Sequence, residues 1–484
     1  MRTRLAKTSA RDGAVTKEES KLVVIGHGAA GLAAALAAAE SARERHFPLQ
    51  VTVLEKTAQR EAGGNTRWSP SYMRMAATDR IAPDFECDMQ LASGGRADPV
   101  YFRTLAEKAP ETIAWLQRNG IAFSTPVYYL SAGPPRIQPN GGGEAIVARL
   151  SEAARQRSVE IAYDCAATQI GRCERGRYGL KTAGEGGEQT IEADAIVFAS
   201  GGFQGNADMM RAHFGSAAGS MKLISPGTSF DTGDGIRLAQ DLGASLSGDW
   251  NGMHAEPVDP RSRQSAPVVL VYPYGIVVDR NGQRFFDEGG GLVHETWEAF
   301  ARDIHFSRPG SIAYAILDSR LFDIEGYQRA IRSEVPPYQA EALDALAALI
   351  GVPADALTKT VAAFNAAATG DATKFDATRC DALATDGLSP PKSNWAQPIT
   401  RPPFLAYPLV GAVAYTFGGV AVNDKAEVLG RTGAIPGLYA AGEVTGQFYR
   451  TAPNAVAMLR AAVFGKIAGQ EAVDFLIRRS NQNR

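Results

Sequence analysis

Residues 21–56 read KLVVIGHGAAGLAAALAAAESARERHFPLQVTVLEK. LVVI is a short, β-branched apolar run of the kind that fills a buried parallel strand. The alanine-rich segment after it favours a helix, and LQVTVLEK beyond Pro48 reads as a second strand ending on an acid. Between strand and helix lies Gly26-His27-Gly28-Ala29-Ala30-Gly31, the spacing G-x-G-x-x-G. Gly26 permits the tight turn, Gly28 lets a diphosphate approach the backbone, and Gly31 lets helix and strand pack closely. The helix start supplies unpaired N–H groups and the positive end of its dipole. Glu55 can accept the hydroxyls of a ribose and would repel a 2′-phosphate, which disfavours NADP. These features together predict a dinucleotide site on a βαβ unit, with FAD and NAD both open on this motif alone.

Outward from that unit, DPVYFRTLAEKAPETIAWLQRNG (98–120) predicts a helix with Asp98 as N-cap and Gly120 as stop, and 141–157 predicts another. ADAIVFASGG (193–202) is a buried strand running into a glycine turn. From about Gly248 the chain turns to aromatics and prolines, with a hairpin signal at Asn281-Gly282 and a strand in SIAYAILDS (311–319). Residues 340–368 predict helix with a break near Gly351, and 371–403 predict a surface crossing. GLYAAGE (437–443) then repeats the strand, glycine turn and acid grammar before a helix over about 455–477.

Composition narrows the function. Hydrophobic residues are 45% and charged residues 21% of 484, ordinary for a globular enzyme of more than one domain. The 50 glycines exceed the usual share of about 7%, as expected where backbone approaches a ligand. A net charge of −2 excludes the basic surface of a nucleic-acid binder. Cys87, Cys165, Cys173 and Cys380 form no C-x-x-C pair, so no metal site, iron–sulfur cluster or attached haem is predicted. No apolar run is long enough to span a membrane, and the polar opening of the chain is no secretory signal. The expected location is cytoplasmic, with residues 1–20 read as a flexible tail and a weak transit-like segment as the alternative.

GGNTRWSPSYMRM (63–75), TGDGIRLAQDLGA (232–244), NGMHAEPVD (251–259), GQRFFDEG (282–289), YTFGGVAV (415–422), GEVTGQFY (442–449) and AVFGKIAG (462–469) together resemble the fumarate reductase/succinate dehydrogenase flavoprotein superfamily. Within it, the nearest likeness is to the FAD-dependent tricarballylate dehydrogenase branch. The resemblance implies an α/β fold: a Rossmann-type, GR2-like FAD-binding domain with an inserted α+β capping domain. The FAD-binding domain takes 21–248 and 416–484; the capping and substrate domain takes 249–415. FAD is implied as the cofactor, and non-covalent, because no histidine precedes Gly63 where covalent members carry one. The implied cofactor residues are Gly26, Gly28, Ala29, Ala30, Gly31, Glu55, Lys56, Gly63, Gly64, Asn65, Thr66, Ser200, Gly201, Gly202, Asp234, Gly442, Glu443, Ala457 and Met458.

The implied reaction is hydride exchange between flavin N5 and a carbon of a CH–CH bond, with a small di- or tricarboxylic acid as substrate. His254 matches the family's substrate-binding histidine. Arg450 lies near the usual carboxylate-gripping arginine. The proton-donating arginine of the fumarate reductases is absent, with Leu292 in its place, and their relay residues fall at Val268 and Val271. Tyr415, Tyr449, Glu288 and His294 are the residues that could replace the donor, although the tyrosines could equally line the pocket and Glu288 hold a turn. Tyr272 and Tyr274 read as wall. Other readings are a flavin dehydrogenase of a bulkier ketone or steroid-like substrate, and a non-catalytic flavin-binding redox or assembly module. Reoxidation is expected to need a separate iron–sulfur or quinone-linked protein.

Overall fold

The computed structural model describes residues 19–482 apart from 131, 132 and 185. The tail expected over 1–20 therefore lies almost wholly outside the described residues, and Ser20 already opens the first strand.

Apolar β-branched strands at the centre of a parallel sheet are covered on both faces, and the predicted unit takes that place. Ser20–Ile25 lies between Leu49–Leu54 and Ala195–Phe198, parallel to both. The full order is Glu427–Gly430, Gly433–Ala440, Ala195–Phe198, Ser20–Ile25, Leu49–Leu54, Glu160–Ala162. Thus 433–440, distant in sequence, completes the sheet that the first residues begin. Helix Ala29–Glu44 packs on the sheet and against helix Ala457–Gln482. Glycine makes that approach possible: a Cβ on Gly465 would fall 2.4 Å from the Ala30 carbonyl oxygen, and one on Gly469 2.1 Å from that of Ala34.

A second sheet is organised around the long strand Phe404–Thr416. It pairs with Lys222–Leu223, Met253–Val258, Ala313–Leu317 and Tyr338–Ala340, and Ile276–Asp279 extends it beyond Ala313–Leu317. Helix Val293–Ser307 packs on this sheet, and helices Leu343–Ile350 and Ala354–Ala367 are separated by Gly351 at φ 67°. The architecture is therefore α/β with an α+β unit between the two halves of the first sheet. At Asn281-Gly282 the predicted turn forms, but its second arm is a single bridge, Val278 to Arg284. Among the described residues no helix is long and apolar enough to cross a membrane.

Two features bring the sheets together. Asn65, on the short helix Gly64–Trp68 that follows the second strand, donates through Nδ2 to the Ala414 carbonyl at 2.8 Å. A bulge between His254 and Ala255 sets His254 opposite Tyr415 on the long strand.

Candidate functional site

The helix at Ala29 opens at Gly28 without a side-chain cap. The Ala29 N–H donates to Thr66 Oγ1 at 3.2 Å, and the helix start with its dipole borders a long cavity lined by Gly26, Gly28, Ala29 and Ala30. A Cβ on Gly28 would meet nothing nearer than Thr66 Oγ1 at 3.5 Å, so this glycine leaves room for a ligand. Gly31 serves packing instead, since a Cβ there would fall 1.9 Å from the Gly26 carbonyl oxygen.

Glu55 is buried at the same cavity, its Oε2 accepting from the His27 N–H at 3.1 Å and its Oε1 from the Thr57 N–H at 2.9 Å. Lys56 Nζ donates to Thr232 Oγ1 at 2.7 Å and pairs with Asp234 at 3.1 Å. The cavity continues past Gly64, Asn65 and Thr66 to Ser200, Gly201, Gly442, Glu443, Ala457 and Met458. Ser200 Oγ is buried there with no protein partner, a polar atom left for a ligand. A helix start for a diphosphate, a fixed carboxylate for ribose hydroxyls and this orphaned hydroxyl fit an extended FAD molecule. Gly63 and Gly202 line neither this cavity nor its neighbour; a Cβ on Gly202 would sit 2.2 Å from Glu443 Oε1.

Two charged residues of this cavity escaped the sequence reading. Asp231 is buried and held well above the usual carboxylate range by burial and by the charge of Glu443. Burial likewise pushes Glu443 up to about 7. Gln204 Nε2 joins them, 2.7 Å from Asp231 and 3.5 Å from Glu443. Arg460 is buried with its Cζ 4.0 Å from the Phe448 ring centroid and its Nε unpartnered. A lone arginine in the apolar run AVAMLRAAVFG was the available signal for Arg460. Asp231 had none, because it sits in a loop at the end of a short 3-10 turn.

A second cavity adjoins the first and shares Asn65, Ser69, Tyr415, Ala457 and Met458 with it. His254 lines it, only 7% exposed, with Nδ1 2.9 Å from Glu298 Oε2 and Nε2 3.1 Å from Glu256 Oε1. Burial disfavours a charged imidazole, but hydrogen bonds to Glu256 and Glu298 and their charges outweigh it and raise His254 to about 9. The ring is therefore an imidazolium at neutral pH with both nitrogens engaged. Tyr415 lies 4.9 Å from it, centroid to centroid, and burial followed by the Glu298 charge holds its phenol well above the ordinary value. Trp68, Tyr72, Tyr129, Arg136, His294 and Arg332 complete much of the wall.

The structure does not bring Arg450 and Glu288 to either cavity, which corrects both expectations. Arg450 sits at φ 54° on an exposed turn and runs beside Gly94. Thr451 is tied to the Ala92 carbonyl at 3.2 Å, and this fixes the turn facing outward. Glu288 is fully buried in an ion pair with Arg284 at 2.6 Å and accepts the Val277 N–H at 2.7 Å, so it pins its own loop to a strand. Tyr449 accepts from the Gly248 N–H and Tyr272 bonds to Thr296, both structural duties. Leu292, Val268 and Val271 line neither cavity, whereas His294 does.

Comparison with known proteins agrees with this geometry. Residues 21–456 match the family model described as FAD binding domain. The chain is 30% identical over 404 residues to the NADH:acrylate oxidoreductase of Vibrio harveyi, an alignment covering 77% of this chain and 37% of that protein. It is 27% identical over 472 residues to a fumarate reductase (cytochrome) of Shewanella frigidimarina, covering 94% and 77%. Its fold superposes on the open conformation of a flavocytochrome c3 fumarate reductase with a TM-score of 0.74 at 24% identity, covering 96% and 79%.

Proposed function

Because the chain belongs to the FAD binding domain family and is an FAD-dependent oxidoreductase, we propose that it exchanges a hydride with a CH–CH bond of a small carboxylic acid in the second cavity. The observation that carries this reading is the shared wall: Asn65, Ser69, Tyr415, Ala457 and Met458 face both cavities, so a molecule in one adjoins the cofactor of the other. The flavin, held non-covalently, supplies the two-electron chemistry when bound. The chain orients the acid, excludes water and handles the accompanying proton.

Tyr415 is the proton-transfer residue in this reading. In dehydrogenation a hydride leaves one carbon for the cofactor and a proton leaves its neighbour; in reduction both return. Tyr415 borders both cavities, and its phenol is held protonated at neutral pH. It therefore carries a proton that it can deliver in the reducing direction, although burial makes it a weaker acid than a free phenol. His254 stiffens this wall through Glu298 and Glu256 rather than offering a free nitrogen.

Likeness of the sequence runs to the tricarballylate dehydrogenase branch supports an acid substrate. A tricarboxylate would demand several free cations, however, and His254 is spent on two glutamates. The proposal is therefore confined to a small acid. In this scheme a separate iron–sulfur or quinone-linked carrier exchanges electrons with the flavin.

An anaerobic spectral titration tests the reading, with mono-, di- and tricarboxylates and ketosteroids added while the flavin band is followed. Bleaching by a saturated acid, or reoxidation of the reduced protein by an unsaturated one, supports it. A flavin reducible by dithionite yet silent to every acid refutes it in favour of a non-catalytic redox or assembly module. Response to ketones alone transfers the site to the bulkier substrate class.

A further inference from the structure

The second cavity holds a cation that the scheme above does not use. Arg136 is 4% exposed, lines the cavity, and comes from an irregular segment just before Gln138–Pro139. Its Cζ lies over the ring of Tyr72 at 3.7 Å from the centroid, over Tyr128 at 3.9 Å and over Tyr129 at 5.0 Å. Its Nε and Nη2 are buried and bond to no other group, and no carboxylate among the described residues pairs with it. Aromatic rings engage a guanidinium through its flat face, so its N–H groups stay directed outward in the guanidinium plane. Nε and Nη2 form one edge of that plane, the edge that matches the two oxygens of a carboxylate. A buried cation without an anion is unfavourable, and the missing partner is a ligand.

The rest of the wall gives the cavity a polarity. Asn454 donates to the Tyr128 hydroxyl at 3.2 Å and keeps its Oδ1 unpartnered, and His294 Nδ1 is also unpartnered. Burial lowers His294, leaving it neutral at pH 7. Elsewhere on the wall the His254 imidazolium is flanked by Glu256 and Glu298, a group with one net negative charge. Arg332, partly exposed, is a second guanidinium on this wall; Arg136 differs from it in being buried with its Nε–Nη2 edge unpartnered, and the net negative charge around His254 disfavours a second carboxylate beside that group.

We propose that Arg136 is the carboxylate clamp of this site, and that the substrate is a monocarboxylic acid whose carbon skeleton lies along Trp68, Trp297 and Tyr415. This rests on the second cavity being the substrate site, and moves carboxylate binding away from His254 and Arg450.

The test uses the FAD-loaded protein, with binding followed both by perturbation of the oxidised flavin band and by calorimetry, neither of which needs turnover. Cinnamate is expected to bind at least about tenfold more tightly than cinnamamide, and than fumarate, because only the monoacid meets the clamp without facing the glutamates. Arg136→Met is expected to lose at least about tenfold of the affinity for cinnamate and none for cinnamamide, at unchanged FAD content; Arg136→Lys should fall between. Equal binding of acid and amide by the wild type overturns the proposal, as does preference for fumarate, failure of every monoacid to bind, or wild-type cinnamate affinity in Arg136→Met. The acid–amide comparison needs no variant, so it decides even if the variants fail to fold. Tight, clamp-dependent binding without any hydride exchange would sink the oxidoreductase reading alone; exchange with wild-type KM in Arg136→Met would sink the clamp alone.

Discussion

Replacing Glu298 by glutamine should weaken the hold on the His254 proton. The wild-type imidazole rises from 6.5 to about 9 against the burial that opposes its charge, through bonds at 2.9 Å to Glu298 and 3.1 Å to Glu256. A rise of that size corresponds to about 3 kcal/mol of preferential stabilisation of the charged form. The folded value lies above the unfolded one, so this stability is fully present below pH 6.5 and is lost as pH rises through about 9. Glu298→Gln keeps the side-chain volume but removes one of two charges, and should bring the titration down by roughly one to two pH units. The primary assay is NMR of protein labelled at histidine Cε1, in which six histidines must be assigned. Urea unfolding of the apoprotein at pH 6.5 and pH 10 is the second. Wild type should lose more stability over that range than the variant, by about 1–2 kcal/mol. Lys392, which burial holds down to about 8, also titrates there, but equally in both proteins, so only the difference is read. An unchanged His254 titration in Glu298→Gln, or a wild-type value near 6.5, would refute the reasoning.

Three further outcomes are expected. Tyr415→Phe should reduce kcat by about 10² or more with little change in KM, measured by stopped-flow flavin reduction; an unaffected rate would remove Tyr415 from proton transfer. Glu443 has a raised folded value, so its stabilising contribution is present below about pH 4.5 and is lost as pH rises through about 7, and Asp231, also raised, acts in the same direction. Apoprotein stability should accordingly decline between pH 5 and pH 8, and Glu443→Gln should flatten that decline in urea unfolding. Gly469→Val should cost about 1–3 kcal/mol, and more if the helices cannot separate, because its Cβ would lie 2.1 Å from the Ala34 carbonyl oxygen; thermal unfolding checks this.

The diphosphate and ribose end of the cofactor cavity was legible because its residues are local, whereas its farther wall is drawn from segments around 200, 231, 442 and 458. Gly26 to Glu55 carries strand, turn, helix and acid within one stretch, and each glycine has a steric reason visible in the spacing. The substrate cavity is assembled from segments that share no period: Arg136 from an irregular segment, His254 from a bulged strand, Trp297 from a helix and Asn454 from a loop. Sequence places a residue on a motif but not the direction of its side chain. Arg450 shows this, since one positive φ turns it outward. Glu288 shows a second limit, for an acid four residues from an arginine on a glycine-rich turn closed an ion pair instead of facing the pocket. Arg136 had no motif at all, and only its unpaired edge in three dimensions distinguishes it from a surface arginine.

The contact of Ala30 and Ala34 with Gly465 and Gly469 has a consequence for biosynthesis. The first sheet lacks a second neighbour for Ala195–Phe198 until Gly433–Ala440 has been made, and the nucleotide-cradling helix lacks its partner until Gly465 and Gly469 have left the ribosome. At about 5–20 residues per second, more than two hundred residues separating these strands keep the nascent half-site open for roughly 10–50 s. During that interval the apolar run Leu22–Ile25 and one face of the alanine helix are clients for a chaperone, and cofactor capture is deferred until residues 433–469 have emerged. Ribosome-stalled chains ending before residue 433 should therefore bind chaperone and no flavin, whereas chains released with residues 433–482 included should lose the first and gain the second.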